Sequence, residues 1–176
     1  MTNDTESLEL IYYPDPRLLK PAAEIPEVDD RIRARAARMI DIMHEKKGVG
    51  LAANQVGWLE RLIVICPTAQ QGEEIVLINP VITASSGKMR GEEGCLSIPQ
   101  IYADVDRFEQ VTVRALDLQG DEFEIDGEDL LSVVLQHEID HLEGILFISR
   151  LTPVDRDRHK KRLLEMKREY QAGKDG

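Results

Sequence analysis

Leu130-Leu131-Ser132-Val133-Val134-Leu135-Gln136-His137-Glu138-Ile139-Asp140-His141 decides the fold. Leu130, Val134, His137 and His141 follow one another at spacings of four, three and four, which puts all four on one face of a helix. The two histidines continue an apolar stripe and are expected to point inward. The helix is expected to begin near Gly127 or Glu128 and to stop at Gly144.

Working outward, the residues before this helix are strand-like. Arg61 to Cys66 is apolar, Glu74 to Thr83 is interrupted by Asn79-Pro80, and in Gln110 to Leu118 the residues Val111, Val113 and Ala115 alternate with polar ones. Gln119-Gly120-Asp121 reads as a hairpin turn into Glu122 to Ile125. Earlier still, Ile32, Ala36, Met39, Ile40 and Met43 recur at helical spacing between a capping Asp29 or Asp30 and Gly48. At the far end Thr152-Pro153 opens a third helix running to about residue 171. Antiparallel strands followed by one buried helix, with further helices at either end, predict an α+β domain rather than a wound parallel sheet. No repeat or linker divides residues 1–176, so one unit is expected.

The buried helix also carries chemistry. In His137-Glu138-Ile139-Asp140-His141, residues four apart stack on one side and can hold one ion through both imidazoles. Glu138 sits one step round, where its carboxylate can reach a metal-bound water without ligating the metal, as a general base must. The bland alternative is a pair of core histidines satisfied by hydrogen bonds. Burying these polar groups without a purpose costs roughly 1–3 kcal/mol for each unmet partner, which favours the metal. Asp140 reads as a surface carboxylate, and Arg107 as an exposed arginine or one that orients a nearby carboxylate.

Two histidines need a third protein ligand, and a catalytic site leaves a further position open. An acidic residue downstream or a cysteine upstream could supply it. Glu143, two residues past His141, turns to another face. Cys66 lies inside an apolar strand and reads as a small buried residue. Cys95 sits in Glu93-Gly94-Cys95-Leu96-Ser97, an extended stretch near Pro99.

Three segments together resemble the peptide deformylase family: Gly48-Val49-Gly50-Leu51-Ala52-Ala53-Asn54-Gln55, Glu93-Gly94-Cys95-Leu96-Ser97 and Gln136-His137-Glu138-Ile139-Asp140-His141-Leu142-Glu143-Gly144. The resemblance implies a metal held by Cys95, His137 and His141 with a water as fourth ligand, in a fold where antiparallel sheets surround the central helix that carries the His-Glu-x-x-His motif. It implies that Glu138 takes a proton from that water and later gives it to the leaving amine. Gln55 and the backbone N–H of Leu96 would donate to the developing oxyanion, which suits a neutral amide. The substrates implied are N-formylmethionyl peptides, and formate is released. Val49, Gly50 and Gly94 would let such a peptide lie alongside as an added strand. Ile98 and Val133 are candidates for the apolar pocket that takes the methionine side chain. Thiolate and imidazole accept Zn2+, Co2+ or Ni2+ as well as Fe2+. The family implies Fe2+ as the efficient native ion.

Bulk properties narrow the setting. The 176 residues carry a formal net charge of −11, which argues against a DNA-binding protein. From Arg150 onward nine Lys/Arg meet five Asp/Glu, a local +4 that leaves −15 for the rest. That basic tail, about 153–171 in its helical part, reads either as a solvated charged helix or as a contact with an RNA-rich surface such as the ribosome. Met1 to Leu10 lacks the basic start and apolar centre of a signal peptide, and no apolar run could span a bilayer. Two cysteines form no disulfide framework. A monomer in a reducing cytoplasm is expected. A general zinc peptidase predicts a third ligand downstream. A binding-only relative predicts the loss of a ligand, Gln55 or Glu138; neither prediction is met.

Overall fold

The computed structural model describes residues 8–174; Met1–Ser7 of the acidic start, with Asp175 and Gly176, lie outside the described residues. Helix α1 spans Asp30–Glu45, and the Asp29 side chain caps it by accepting from the Ile32 N–H at 2.9 Å. Its inward stripe of Ile32, Ala36, Met39, Ile42 and Met43 is buried. Each large side chain there contributes about 1.5–3 kcal/mol by leaving water.

Five strands make one antiparallel sheet in the order β1 (Gly50–Ala52), β2 (Leu62–Ile65), β3 (Ile75–Ser86), β6 (Gln110–Leu116) and β7 (Glu122–Glu128). All four residues of β2 are buried because both of its faces are covered. Leu62 and Val64 face α1, whereas Ile63 and Ile65 face α2 (Asp129–Leu142). A strand buried on both sides reads as a continuous apolar run rather than an alternation. The expected break at Asn79-Pro80 is a bulge within β3, not its end. Asn79 adopts a positive φ of 51° there, and its side chain exchanges two hydrogen bonds with the backbone of Ile25.

A second sheet, absent from the sequence-based reading, pairs β4 (Met89–Cys95) with β5 (Ile98–Arg107). It packs with Leu146, Phe147 and Leu151 into a third core cluster. α2 therefore lies between the large sheet and this hairpin, the predicted α+β arrangement of antiparallel sheets about a central helix. Ten of its residues are buried, among them every residue from Val134 to Leu142. Leu130 departs from its expected place in the stripe: at the first turn it is 52 % exposed. The helix stops at Gly144, whose φ of 72° suits glycine, and where a Cβ would come within 2.7 Å of the Leu19 carbonyl oxygen.

Helix α3, Pro153–Lys174, starts where the Thr152-Pro153 signal puts it, with the Asp155 N–H donating to Thr152 Oγ1 at 3.2 Å. Among its described residues only Met166 is buried. No helix among the described residues is long and apolar enough to cross a membrane.

Candidate active site

Cys95 closes β4, and a two-residue turn, Leu96 and Ser97, brings it opposite Ile98. That turn sets the thiol against α2: Cys95 Sγ lies 3.3 Å from His141 Nε2. The His137 and His141 rings are 5.0 Å apart, and ligand atoms from Cys95, His137 and His141 all fall within 4.8 Å of one another. One thiol and two imidazoles at this spacing are a donor set suited to Zn2+, Fe2+, Co2+ or Ni2+. His141 is held well below the usual histidine range, by burial first and then by His137 and Arg107. It therefore favours the neutral form that ligates metals.

His137 is oriented from behind. Its Nδ1 lies 2.9 Å from Glu93 Oε2, and Arg107 grips the same carboxylate at 2.7 Å from Nε and 2.9 Å from Nη2. Burial alone would raise the Glu93 carboxyl, but the hydrogen bonds from Arg107 and His137 outweigh it and hold it at about 2. Burial opposes charge on His137, but hydrogen bonds with Cys95 and Glu93 outweigh it and hold the ring well above the usual histidine range; the carboxylate fixes a proton on Nδ1, so a metal would take the place of the proton on Nε2. Arg107 also reaches Asp140 Oδ2 at 2.6 Å, and Arg150 closes on both oxygens of Asp140 at 2.6 Å. Of the two readings of Arg107, the structure bears out the arginine that orients a carboxylate, at 6 % exposure, whereas Asp140, read as a surface carboxylate, is buried at 9 % exposure. The signal that could have found the buried Arg107 is the alternation of Ile101, Ala103 and Val105, which puts residue 107 on the same inward face of β5.

Glu138 points into the cleft on the other side. Burial raises its carboxyl to about 7, with His137 opposing and Glu93 adding to the rise. Its Oε2 is buried with no hydrogen-bond partner among the described residues. Gly50 makes the room, since a Cβ there would meet Glu138 Oε1 at 2.6 Å. Gln55 sits in the 3-10 turn Ala53–Val56, where its Oε1 accepts from the Ala52 N–H at 2.9 Å. That bond fixes the amide so that Nε2 faces Cys95 Sγ at 3.5 Å and Ser97 Oγ at 3.2 Å.

The cleft in front of these groups has a volume of about 550 Å³ and is lined by Val49, Gly50, Gly94, Leu96 and Val133, together with the exposed Leu130. Ile98 is not among its lining residues: it is fully buried in the third core cluster and so does not form the expected apolar pocket. A larger groove of about 830 Å³ runs along α3, but no histidine or cysteine lines it.

A His-Glu-x-x-His helix enclosed by antiparallel sheets, with a cysteine beside it, defines a metal-dependent hydrolase. The model of the polypeptide deformylase family matches residues 7–157. The peptide deformylase of Acidobacterium capsulatum is 48% identical over 161 residues, covering 90% of this chain and 95% of its own. That of Pseudoalteromonas translucida is 46% identical over 157 residues, covering 89% and 94%. The crystal structure of a peptide deformylase from Legionella pneumophila superposes with a TM-score of 0.87 at 45% identity, covering 94% of this chain and 97% of that one. The chain belongs to the polypeptide deformylase family. It is a metallo-hydrolase that deformylates nascent peptides.

Proposed function

We propose that residues 1–176 act as one deformylase unit in which Cys95, His137 and His141 hold a single divalent ion, Fe2+ in the native protein, with Glu138 as the general base. A metal bound there supplies Lewis-acid polarisation of the formyl oxygen and lowers the pKa of water. Glu138 accepts a proton from the attacking water as the new C–O bond forms at the formyl carbon. The C–N bond then breaks, Glu138 returns the proton to the leaving nitrogen, and formate and a free amino terminus separate.

Negative charge builds on the formyl oxygen during the attack. Gln55 Nε2, already aimed by the Ala52 N–H, donates to it together with the backbone N–H of Leu96, and one such donor contributes about 2.7–4 kcal/mol. The observation that carries this reading is the buried, unpartnered Oε2 of Glu138, a residue that lines the same cleft as Gln55. Burying a carboxylate without a partner costs free energy, and groups so placed cluster at sites that move protons.

The substrate main chain runs along β1, the edge of the large sheet, and adds to it as a strand. Gly50 and Gly94 allow the close approach, and Val49, Leu130 and Val133 face the methionine side chain. The protein works as a monomer in the cytoplasm, and the basic helix α3 contacts the ribosome. Deletion of residues after Leu151 should weaken sedimentation with purified ribosomes at low salt. For the reaction itself the test is mass spectrometry of formyl-Met-Ala-Ser and acetyl-Met-Ala-Ser after incubation with anaerobically prepared, iron-loaded protein. The formyl peptide alone should lose its acyl group; removal of both, or cleavage between residues, would refute the assignment.

A further inference from the structure

We propose that His44, Cys66 and Glu74 form a second cation site, outside the cleft, for one divalent ion of the zinc class. The three residues come from separate elements. His44 is in the last turn of α1, Cys66 directly follows β2, and Glu74 directly precedes β3. Ligand atoms from all three lie within 4.8 Å of one another, with His44 Nε2 and Glu74 Oε1 at 2.5 Å.

The donor chemistry fits such an ion. A thiolate, an imidazole and a carboxylate are the ligand types zinc accepts, and the two anions balance its charge. Bond lengths of about 2.0–2.3 Å around a tetrahedral ion put its ligands roughly 3.3–3.7 Å apart. Closing on an ion therefore asks His44 and Glu74 to part by about an ångström. The Gln70 carbonyl, which accepts from the Cys66 thiol at 3.2 Å, stands near enough to offer its oxygen as the fourth ligand in place of water.

Surrounding groups favour a cation there. Both Glu74 oxygens accept from the Gly72 N–H, at 3.1 and 2.9 Å, which orients the carboxylate from behind. His44 lies at the carboxyl end of α1, where the helix dipole attracts positive charge. The His44 and Glu74 side chains remain 18% and 14% exposed, so an ion can enter from the surface, and the fully buried Cys66 forms the floor. Bound, the ion would pin the loop between β2 and β3 to α1. The Cys66 N–H donates to the Val49 carbonyl at 2.8 Å, so the same ion would stiffen the segment leading into the cleft. The competing account is a His–Glu hydrogen bond over a core thiol, which binds no ion.

The experiment is equilibrium dialysis of the full-length, metal-stripped protein against micromolar Zn2+, with bound zinc counted by mass spectrometry. His44→Gln, Cys66→Ser and Glu74→Gln are compared with the unsubstituted chain. Each variant should bind one equivalent less and retain formate release once reloaded with iron. Equal zinc content in the unsubstituted chain and in the two variants at the partly exposed positions, His44→Gln and Glu74→Gln, would overturn the proposal. Should Cys66→Ser fail to fold, those two decide the matter alone. Cobalt gives a second readout: the thiolate charge-transfer band developed by the second equivalent should vanish in His44→Gln and in Glu74→Gln, and its persistence would also overturn the site.

Discussion

Arg107 holds Glu93 by both carboxylate oxygens, and the second of those oxygens also meets the Nδ1 of His137. The pair is nearly inaccessible, at 3% and 4% side-chain exposure. A surface ion pair contributes little, but removing one member of a buried pair strands the other in a poorly solvated place. Arg107→Leu should therefore destabilise the protein by about 3–5 kcal/mol, read as a fall in the urea midpoint. Glu93→Gln, which keeps the shape but loses the charge, should weaken metal binding by about 10–100-fold in competition with a chelator.

Gly50→Ala tests how closely β1 approaches the base. An added methyl would sit 2.6 Å from Glu138 Oε1 and 2.9 Å from its Cγ, so the carboxylate must turn away from its present direction. Misplacement by about an ångström costs on the order of 10²-fold in rate. Formate release should fall by that factor while bound metal stays at its normal level.

Gln55→Leu removes a donor aimed at the reacting oxygen and leaves the volume almost unchanged. The loss should appear as about 10²–10³-fold in kcat with little change in KM, because the interaction is made mainly as charge develops. A rise in KM alone would instead mean that Gln55 only binds the ground state.

Stripping the metal should lower thermal stability as well as abolish activity. An ion present at about 100 times its dissociation constant stabilises the folded state by about 2.7 kcal/mol. Dialysis against a chelator should depress Tm accordingly, and restoring Fe2+ under anaerobic conditions should recover it.

What could be read from the chain before folding follows from the range of each signal. The buried His137–His141 helix, the capped start of α1 and the Thr152-Pro153 start of α3 are local patterns, and each element lies where its spacing puts it. The hairpin of β4 and β5 was not legible in the same way. Met89–Cys95 is polar and rich in glycine and glutamate, so its own residues give no apolar alternation. Arg107 and Asp140 lie 33 residues apart and look like ordinary surface charges; only the docking of β5 on α2 makes them a buried pair. The same limit displaced Ile98 and Leu130. Their apolar character was plain, but whether each faces core or cleft depends on how the hairpin sits against the helix.

The most direct test of the central claim is the rate of formate release from formyl-Met-Ala-Ser by the iron-loaded protein and by Glu138→Gln, with bound metal measured in both. A general base contributes about 10²–10⁴-fold. The substituted protein should keep its metal and lose at least that factor in kcat. Retention of near-normal turnover by a metal-replete Glu138→Gln protein would show that another group moves the proton, and the account of the site would fail.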